Sequence, residues 1–251
     1  MIVIPMAGLS SRFFRAGYQV PKYMLPARGR SVFRWAVESF ARYFGQERFL
    51  FVLRDVAGTL DFACAECRAM GLGRAVFVTL DAPTRGQADT VRLGLELSGA
   101  EPCEPLTVFN IDTFRPGFRH PEWLEQGVSY LEVFTGPGEG WSFAEPDPAR
   151  PGYVLRTAEK QRISDLCSNG LYHFSRTALF LDAVARQAAL PPGELLAGEL
   201  YVAPLYNELI AAGHQVRYRQ VGQDEVVFCG VPEEYEAFCA QPGSAPGKEA
   251  A

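Results

Sequence analysis

The chain has 251 residues, of which 48% are hydrophobic, so it can bury the core of one large domain or of two tightly joined ones. Its formal net charge is -5 and its basic residues do not cluster, which argues against a nucleic-acid-binding groove. The sequence shows neither a signal-peptide pattern nor an apolar run near the roughly 18 residues of a membrane span. We therefore expect a cytoplasmic protein that binds neither nucleic acid nor a membrane.

Apolar runs alternate with segments of helical spacing over residues 1–115. The predicted strands are Ile2–Pro5, Phe49–Leu53, Ala75–Leu80 and Leu106–Ile111, and the predicted helices are Ser31–Phe44, Thr59–Met70 and Asp89–Leu97. This alternation is typical of an α/β fold with a Rossmann-like, doubly wound and mostly parallel sheet. Ligands bind such sheets beyond the carboxyl ends of the strands, where Gly8, Gly86 and Asp112 should converge.

The pattern changes in residues 116–240. Predicted strands are Val128–Phe134, Trp141–Glu145, Gly152–Arg156, Leu166–Phe174 and Gln215–Val221, with Glu225–Phe228 as a further candidate; predicted helices are Ser175–Arg186, Ala203–Ala212 and Pro232–Cys239. We find no internal repeat and no linker. We therefore predict a single domain over residues 1–240, with the second half adding strands to the same mixed sheet, followed by a disordered tail over 241–251.

Six cysteines show no spacing typical of a disulfide framework. Cys64 and Cys67 form a CxxC pair, but there is no second pair and no nearby histidine partner. Because they lie three residues apart in a predicted helix, we interpret them as positions on one buried helix face.

The first strand leads into a stretch suited to anion binding. It runs through Ala7, Gly8, Ser10 and Ser11 to Arg12. Gly8 has no Cβ, so its backbone can approach a ligand closely, and either serine could cap the helix that follows. A tight turn into a helix N-terminus presents unpaired N–H groups to an anion, and a guanidinium adds donors that fit phosphate oxygens.

Lysine is rare in this chain, and its positions are informative. Only Lys22, Lys160 and Lys248 are lysine among 24 basic residues. The two internal lysines fall in stretches that stand out for other reasons, Pro21-Lys22 through Pro26 and the pair Glu159-Lys160. The retention of lysine at these two positions indicates that each requires a compact point charge.

The AGxxSR turn followed by PKxxLP resembles the signature of the nucleotidyltransferase superfamily that makes nucleotide sugars and related activated phosphates. Such enzymes join an NTP to a phosphorylated acceptor and release pyrophosphate. The resemblance implies a GT-A-like fold with a nucleotide-binding half, 1–115, and an acceptor-binding half, 116–240. It also implies a Mg²⁺ cofactor, CTP, UTP or dTTP as nucleotide, a sugar 1-phosphate as acceptor, and a role in surface (capsule) polysaccharide synthesis.

Four charged residues match positions that carry out the transfer in this superfamily. By resemblance, Arg12 would hold the β- and γ-phosphates and Lys22 the α-phosphate. Asp112 follows an apolar strand and would bind Mg²⁺. Lys160 would hold the phosphate of the acceptor. Both reactants are anions, so a metal ion and several cations are what the chemistry requires.

The remaining substrate contacts also follow from the resemblance. Glu159 and Asn169 would hydrogen-bond acceptor hydroxyls, although Asn169 could equally form a turn. Gln87 offers both a donor and an acceptor to a base edge. Three residues of the loop after the first strand would contact the nucleotide. They are Ala7, Gly8 and Ser11.

Two positions depart from the superfamily pattern. Phe228 stands where a second metal-binding aspartate is common, and Asp224 or Glu225 could substitute for it. Trp141-Ser142 replaces the usual Tyr-Gly. These departures keep open a CTP-dependent cytidylyltransferase for a phosphocholine- or phosphoglutamine-like acceptor.

Two more distant alternatives remain. A glycosyltransferase that consumes a nucleotide sugar is disfavoured because the PKxxLP segment is present and no DxD occurs at Asp112, since residue 114 is phenylalanine. A non-catalytic nucleotide-binding relative is supported only by Phe228. The sequence leaves open whether the chain forms a homo-oligomer.

Overall fold

A computed structural model describes residues 1–241, except for the side chains of residues 125, 126 and 192. The predicted tail, 241–251, lies outside the described residues apart from Gln241. None of the helices within 1–241 combines the length and the apolar character needed to cross a membrane.

Helices and strands alternate along the first half of the chain, and strands dominate the second. The strands are β1 (Ile2–Met6), β2 (Pro26–Ala27), β3 (Arg30–Ser31), β4 (Phe49–Leu53), β5 (Ala75–Thr79), β6 (Leu106–Phe109), β7 (Thr113–Phe114), β8 (Ser129–Thr135), β9 (Ser142–Pro146), β10 (Val154–Glu159), β11 (Leu166–Phe174), β12 (Val216–Gln220) and β13 (Val227–Phe228). The α-helices are α1 (Ser11–Arg15), α2 (Val32–Glu38), α3 (Thr59–Ala69), α4 (Gln87–Leu97), α5 (Thr177–Ala188), α6 (Leu205–Ala211) and α7 (Pro232–Ala240).

Nine strands form one mixed sheet, which confirms the predicted fold class. Its main path runs β10-β9-β11-β6-β1-β4-β5, with β8 paired to β11 and β12 paired to β8. Strands β6, β1, β4 and β5 are parallel, and the register sets Met6 opposite Leu53 and Leu53 opposite Thr79. Because these strands end level with one another, the loops that follow them meet at one edge. Strand β11 runs antiparallel to β6 and joins the second half to this sheet.

The two faces of the sheet bury separate cores. Along β1, Ile2, Ile4 and Met6 pack on one side with residues of α2, α3 and α7, while Val3 packs on the other side with α4, α5 and α6. Alternation of side chains along a strand explains this division. Cys67 is buried in the first of these cores, and burial raises the pKa of its thiol to about 12. Cys64 is only partly buried, so the predicted buried face of the CxxC pair holds fully for Cys67 alone.

Most predicted elements occur with ends within two residues of the prediction, and two differ by more. The helix predicted over Ser31–Phe44 is α2 followed by a short 3₁₀ turn, Ala41–Tyr43. At the end of α2 the Ser39 hydroxyl donates to the oxygen of Trp35 at 3.3 Å and accepts a hydrogen bond from the backbone N–H of Arg115 at 2.8 Å. The strand predicted to end at Arg156 continues as β10 to Glu159, where it pairs with Ser142. This extension places the Glu159 side chain on a rigid element.

Candidate active site

Two cavities open at the edge of the sheet where β1 and β6 end. The first, of about 520 Å³, lies between the loop after β1 (residues 7–11), the turn Pro83–Gln87 and Asp112. The second, of about 550 Å³, lies between Asp112, the start of β9, the end of β10, the middle of β11 and the start of α7. Five residues line both cavities and form their common wall: Lys22, Gln87, Asn110, Asp112 and Glu199. Ligands that fill the two cavities therefore meet at this wall.

The loop after β1 lines the first cavity as expected, but its serines do not cap α1. Ser10 precedes the helix in a left-handed conformation, with φ of 49°, and its side chain makes no capping hydrogen bond. Its hydroxyl instead accepts a hydrogen bond from the backbone N–H of Lys22 at 3.2 Å. The capping prediction is wrong because this hydroxyl joins the AGxxSR turn to the PKxxLP segment. Ala7, Gly8 and Ser11 all line the first cavity, and a Cβ on Gly8 would meet nothing within 4 Å.

Lys22 and Asp112 meet in the common wall. The Lys22 ammonium lies 2.5 Å from Oδ2 of Asp112, and each side chain is 21% exposed. Lys22 begins a short 3₁₀ turn after Pro21, and Asp112 follows β6. Two motifs 90 residues apart in sequence thus form one charge pair at the carboxyl edge of the sheet. Arg12 lines the second cavity beside them.

A second carboxylate, Glu234, lies close to Asp112. A Cβ on Gly230 would sit 3.2 Å from Oδ2 of Asp112 and 3.5 Å from Oε2 of Glu234, so the glycine leaves room for both groups. Oε2 of Glu234 accepts hydrogen bonds from the N–H groups of Gly230 and Val231 at 2.8 and 3.2 Å. Sequence reasoning missed Glu234 because an acid in the first turn of a helix usually indicates only a cap.

The structure does not bring Asp224 to this place. Asp224 is exposed in the turn Gln223–Glu225, and its carboxylate approaches Gly222 instead. Asp224 is not one of the described residues that line either cavity. Phe228, in contrast, pairs with Thr113 next to Asp112, and its ring centroid lies 4.7 Å from that of Trp141. The position expected to hold a carboxylate therefore forms part of an aromatic wall.

Glu159 and Lys160 take separate positions. The Ser142 hydroxyl donates a hydrogen bond to the Glu159 carboxylate, which lines the second cavity, and burial raises the pKa of Glu159 above its ordinary value. Lys160 follows β10 in a left-handed conformation, with φ of 52°. Its ammonium donates a hydrogen bond to the hydroxyl of Tyr201 at 2.7 Å. Tyr201 lines the second cavity, and Lys160 lies behind it, outside the set of lining residues.

Asn169 serves a structural purpose that the sequence did not reveal. Its side chain is buried, its amide N–H donates to Oε2 of Glu132 at 2.7 Å, and its oxygen accepts from the N–H of Leu171 at 3.1 Å. Glu132 is itself buried and paired with Arg115 at 2.8 Å. These bonds fix the amide within the fold, and Asn169 also lines the second cavity. One amide N–H and one oxygen lone pair are not used by these two bonds, so the contact with an acceptor hydroxyl stays a prediction.

Gln87 opens α4 and joins the two halves of the common wall. Its amide N–H donates to Oδ1 of Asn110 at 2.5 Å. The predicted start of this helix, Asp89, is two residues late because Gly86 already ends the preceding turn. Sequence reasoning missed Asn110, Glu199 and Tyr201, since no motif marks the segment that contains the last two.

No protein-family model matches the chain, and no curated protein does. Solved structures do. A nucleoside-diphosphate-sugar pyrophosphorylase from Vibrio cholerae RC9 is 50% identical over 96% of this chain and 100% of that chain, with a TM-score of 0.92. A UDP-glucose pyrophosphorylase complexed with UDP-glucose is 19% identical over 95% and 96%, with a TM-score of 0.74. An inositol-1-phosphate CTP transferase from T. maritima is 14% identical over 94% of each chain, with a TM-score of 0.70. At these lower identities the likeness shows the fold alone.

Proposed function

The chain belongs to the nucleoside-diphosphate-sugar pyrophosphorylases of the nucleotidyltransferase superfamily, and we propose that it joins an NTP to a sugar 1-phosphate with release of pyrophosphate. It is an enzyme of the pyrophosphorylase type. The 50% identical relative supports the pyrophosphorylase class of reaction. The choice of nucleotide, acceptor and metal goes beyond that relative.

The observation that carries the proposal is the wall shared by the two cavities. We assign the NTP to the first cavity and the phosphorylated acceptor to the second. Lys22 and Asp112 stand in the shared wall, where the reacting phosphates of the two substrates would meet. Holding two reactants in line at one point is the main contribution that an enzyme can make to this transfer.

The nucleotidyl transfer needs no proton donor, because the leaving group departs as pyrophosphate. An oxygen of the acceptor's phosphate forms a bond to the α-phosphorus, and the bond from this phosphorus to the oxygen that bridges to the β-phosphate breaks. The electron pair leaves with pyrophosphate. We propose that Lys22 offsets charge at the α-phosphate. Arg12 would bind the leaving group in a third, smaller pocket, which it lines together with Lys22 and the loop after β1. Lys160 would approach the acceptor's phosphate from beside the second cavity, and Glu159 would accept hydrogen bonds from acceptor hydroxyls.

The donor set fits Mg²⁺. The ion prefers oxygen ligands and is usually held by one or two carboxylates together with substrate phosphates. Among the side chains that the structure describes, no group of three or more His, Cys, Asp or Glu is placed to bind a metal, but Asp112 and Glu234 offer two carboxylates beside Gly230. Asp112 would hold the ion, with Glu234 in the place of the acid absent at residue 228. When bound, Mg²⁺ supplies charge neutralisation of the phosphates.

A second candidate acceptor is a phosphorylated compound other than a sugar, activated with CTP. The aromatic wall of Trp141 and Phe228 favours it. Both residues line the second cavity, and the buried Phe134 packs behind them with ring centroids 5.1 Å from each. Such a wall offers apolar area where a polyol would use hydrogen bonds.

The experiment measures pyrophosphate release with Mg²⁺ and each common NTP, against separate pools of sugar 1-phosphates and of phosphorylated alcohols and amides. Release with the sugar pool supports the first candidate, and release with CTP and the second pool alone supports the second. A reaction that consumes a nucleotide sugar without forming pyrophosphate would contradict both.

A further inference from the structure

Residues 199–203, which we name the strap, contribute lining residues to both proposed substrate cavities. The strap joins a 3₁₀ turn at Leu196–Gly198 to helix α6. Glu199 has an extended backbone, with φ of −99° and ψ of 149°. Side chains two residues apart on an extended segment point the same way. Glu199 lines both cavities and Tyr201 lines the second, whereas Leu200, between them, is buried.

One end of the strap is fastened to the turn that lines the first cavity. The backbone N–H of Leu200 donates to the oxygen of Arg85 at 2.6 Å, and the N–H of Ala88 donates to the oxygen of Leu200 at 3.0 Å. Gly86 lies between these two bonds, and a Cβ there would sit 2.6 Å from the oxygen of Leu200. The contact therefore depends on a glycine at this position.

The other end is fastened to β10. The hydroxyl of Thr157 donates to the backbone oxygen of Ala203 at 2.7 Å. Asn207, in α6, accepts from the N–H of Thr157 at 2.8 Å and donates to its oxygen at 2.9 Å. The strap thus connects the turn of the first cavity to the strand that ends at Glu159 and Lys160.

Tyr201 is the point where the strap contacts Lys160. The phenol accepts the 2.7 Å hydrogen bond from the Lys160 ammonium, which also lies 4.5 Å from the ring centroid. Glu199 lies beside the same hydroxyl. The left-handed backbone of Lys160 costs free energy for a residue with a side chain, and contacts at both ends of the residue maintain it, since its N–H also donates to the oxygen of Trp141 at 2.8 Å.

We propose that Tyr201 is a positioning residue, which holds the Lys160 ammonium beside the second cavity for the acceptor's phosphate. This rests on the proposed function, in which Lys160 binds that phosphate. Without the phenol hydroxyl, the Lys160 side chain is free to extend into solvent. Binding of the acceptor's phosphate must then order this side chain, and the entropy lost weakens the binding. Leu200, next to Tyr201 in the strap, is hydrogen-bonded to Arg85 and Ala88. The position of the Lys160 ammonium therefore depends, through Tyr201, on the turn that lines the first cavity.

The test uses Tyr201→Phe, which keeps the ring and removes the hydroxyl. Pyrophosphate release is measured against acceptor and NTP concentrations for the parent, Tyr201→Phe, Lys160→Met and the double variant. A hydrogen bond to a charged group justifies an expected rise of roughly tenfold in KM for the acceptor, with KM for the NTP unchanged. In the Lys160→Met background, Tyr201→Phe should change nothing further. Tyr153→Phe, whose ring packs on Arg217 away from both cavities, is the matched control.

Three results would overturn the inference. They are an unchanged acceptor KM in Tyr201→Phe, an equal effect in both backgrounds, or equal rises in both KM values together with a lower Tm. If the parent releases no pyrophosphate with any substrate pair, the proposed function itself fails, which is a different result from an active parent with an unaffected variant.

Discussion

Gly86→Ala should destabilise the protein more than any ordinary glycine-to-alanine change. Gly86 precedes α4 with φ of 125° and ψ of −178°, a region of backbone space that residues with a Cβ rarely adopt. The new methyl carbon would lie 2.6 Å from the oxygen of Leu200 and 2.8 Å from its nitrogen. Both atoms are backbone, so no rotation of a side chain relieves the clash.

The expected loss of stability in Gly86→Ala can be worked out from backbone strain or from the hydrogen bonds that break if the strap moves. Forcing alanine into this conformation costs about 1–3 kcal/mol. If the strap moves away instead, the two hydrogen bonds that Leu200 makes with Arg85 and Ala88 are lost, at about 1 kcal/mol each. We therefore expect a loss of roughly 2–3 kcal/mol in the free energy of unfolding. For a chain of this size, that corresponds to a fall of roughly 4–12 °C in Tm.

Urea unfolding and thermal unfolding of the parent and the variant give this value directly. Gly73→Ala is the matched control, because Gly73 is exposed and a Cβ there would meet nothing within 4 Å. The control should stay within about 0.5 kcal/mol of the parent. If Gly86→Ala is as stable as this control, Leu200 is not docked on the turn, and the account of the strap is refuted.

Three further results are expected. Lys22→Ala and Asp112→Ala should each lower turnover by roughly two orders of magnitude or more with an unchanged Tm, since their ion pair is partly exposed. Glu234→Gln, which keeps the hydrogen-bond acceptor, should weaken Mn²⁺ binding by roughly tenfold in calorimetry with NTP present. Burial lowers the pKa of His120 to about 4 and of His173 to about 3. The unfolded chain therefore takes up protons first, and stability should fall by roughly 1–3 kcal/mol per pH unit as pH drops below about 6.5.

Each of these expectations has a result that contradicts it. Near-normal turnover in either the Lys22 or the Asp112 variant removes the role given to that residue. Glu233→Gln, at an exposed neighbour in α7, is the control for Glu234, and equal Mn²⁺ affinity in the two variants would exclude Glu234 as a ligand. Unfolding free energies that stay level between pH 6.5 and 5 would show that the two histidines are not buried as neutral groups.

The convergence of distant motifs could be predicted from the sequence. Gly8, Gly86 and Asp112 each follow a strand of the parallel sheet or open the next helix, and the rule for such sheets was enough to place them at one edge. Lys22 was singled out by its rarity and by its flanking prolines. The structure places it against Asp112, a pairing that no spacing in the sequence specifies.

Other parts of the site could not be predicted, for identifiable physical reasons. Asn169 follows a pattern suited to a ligand contact, but its partner Glu132 lies on another strand, and only the sheet brings the two together. Glu234 has the sequence context of a helix cap, and its nearness to Asp112 depends on Gly230 having no side chain. Tyr201 lies in a segment without periodicity, so nothing local indicates which way it points.

The most direct test of the account is pyrophosphate release by the purified chain with Mg²⁺, one NTP and one phosphorylated acceptor. We expect release that requires both substrates and that saturates with each of them, because the two cavities share one wall around Lys22 and Asp112. Release that proceeds at the same rate without any acceptor, or no release from any combination while NTP binding is measurable by calorimetry, would contradict the central claim.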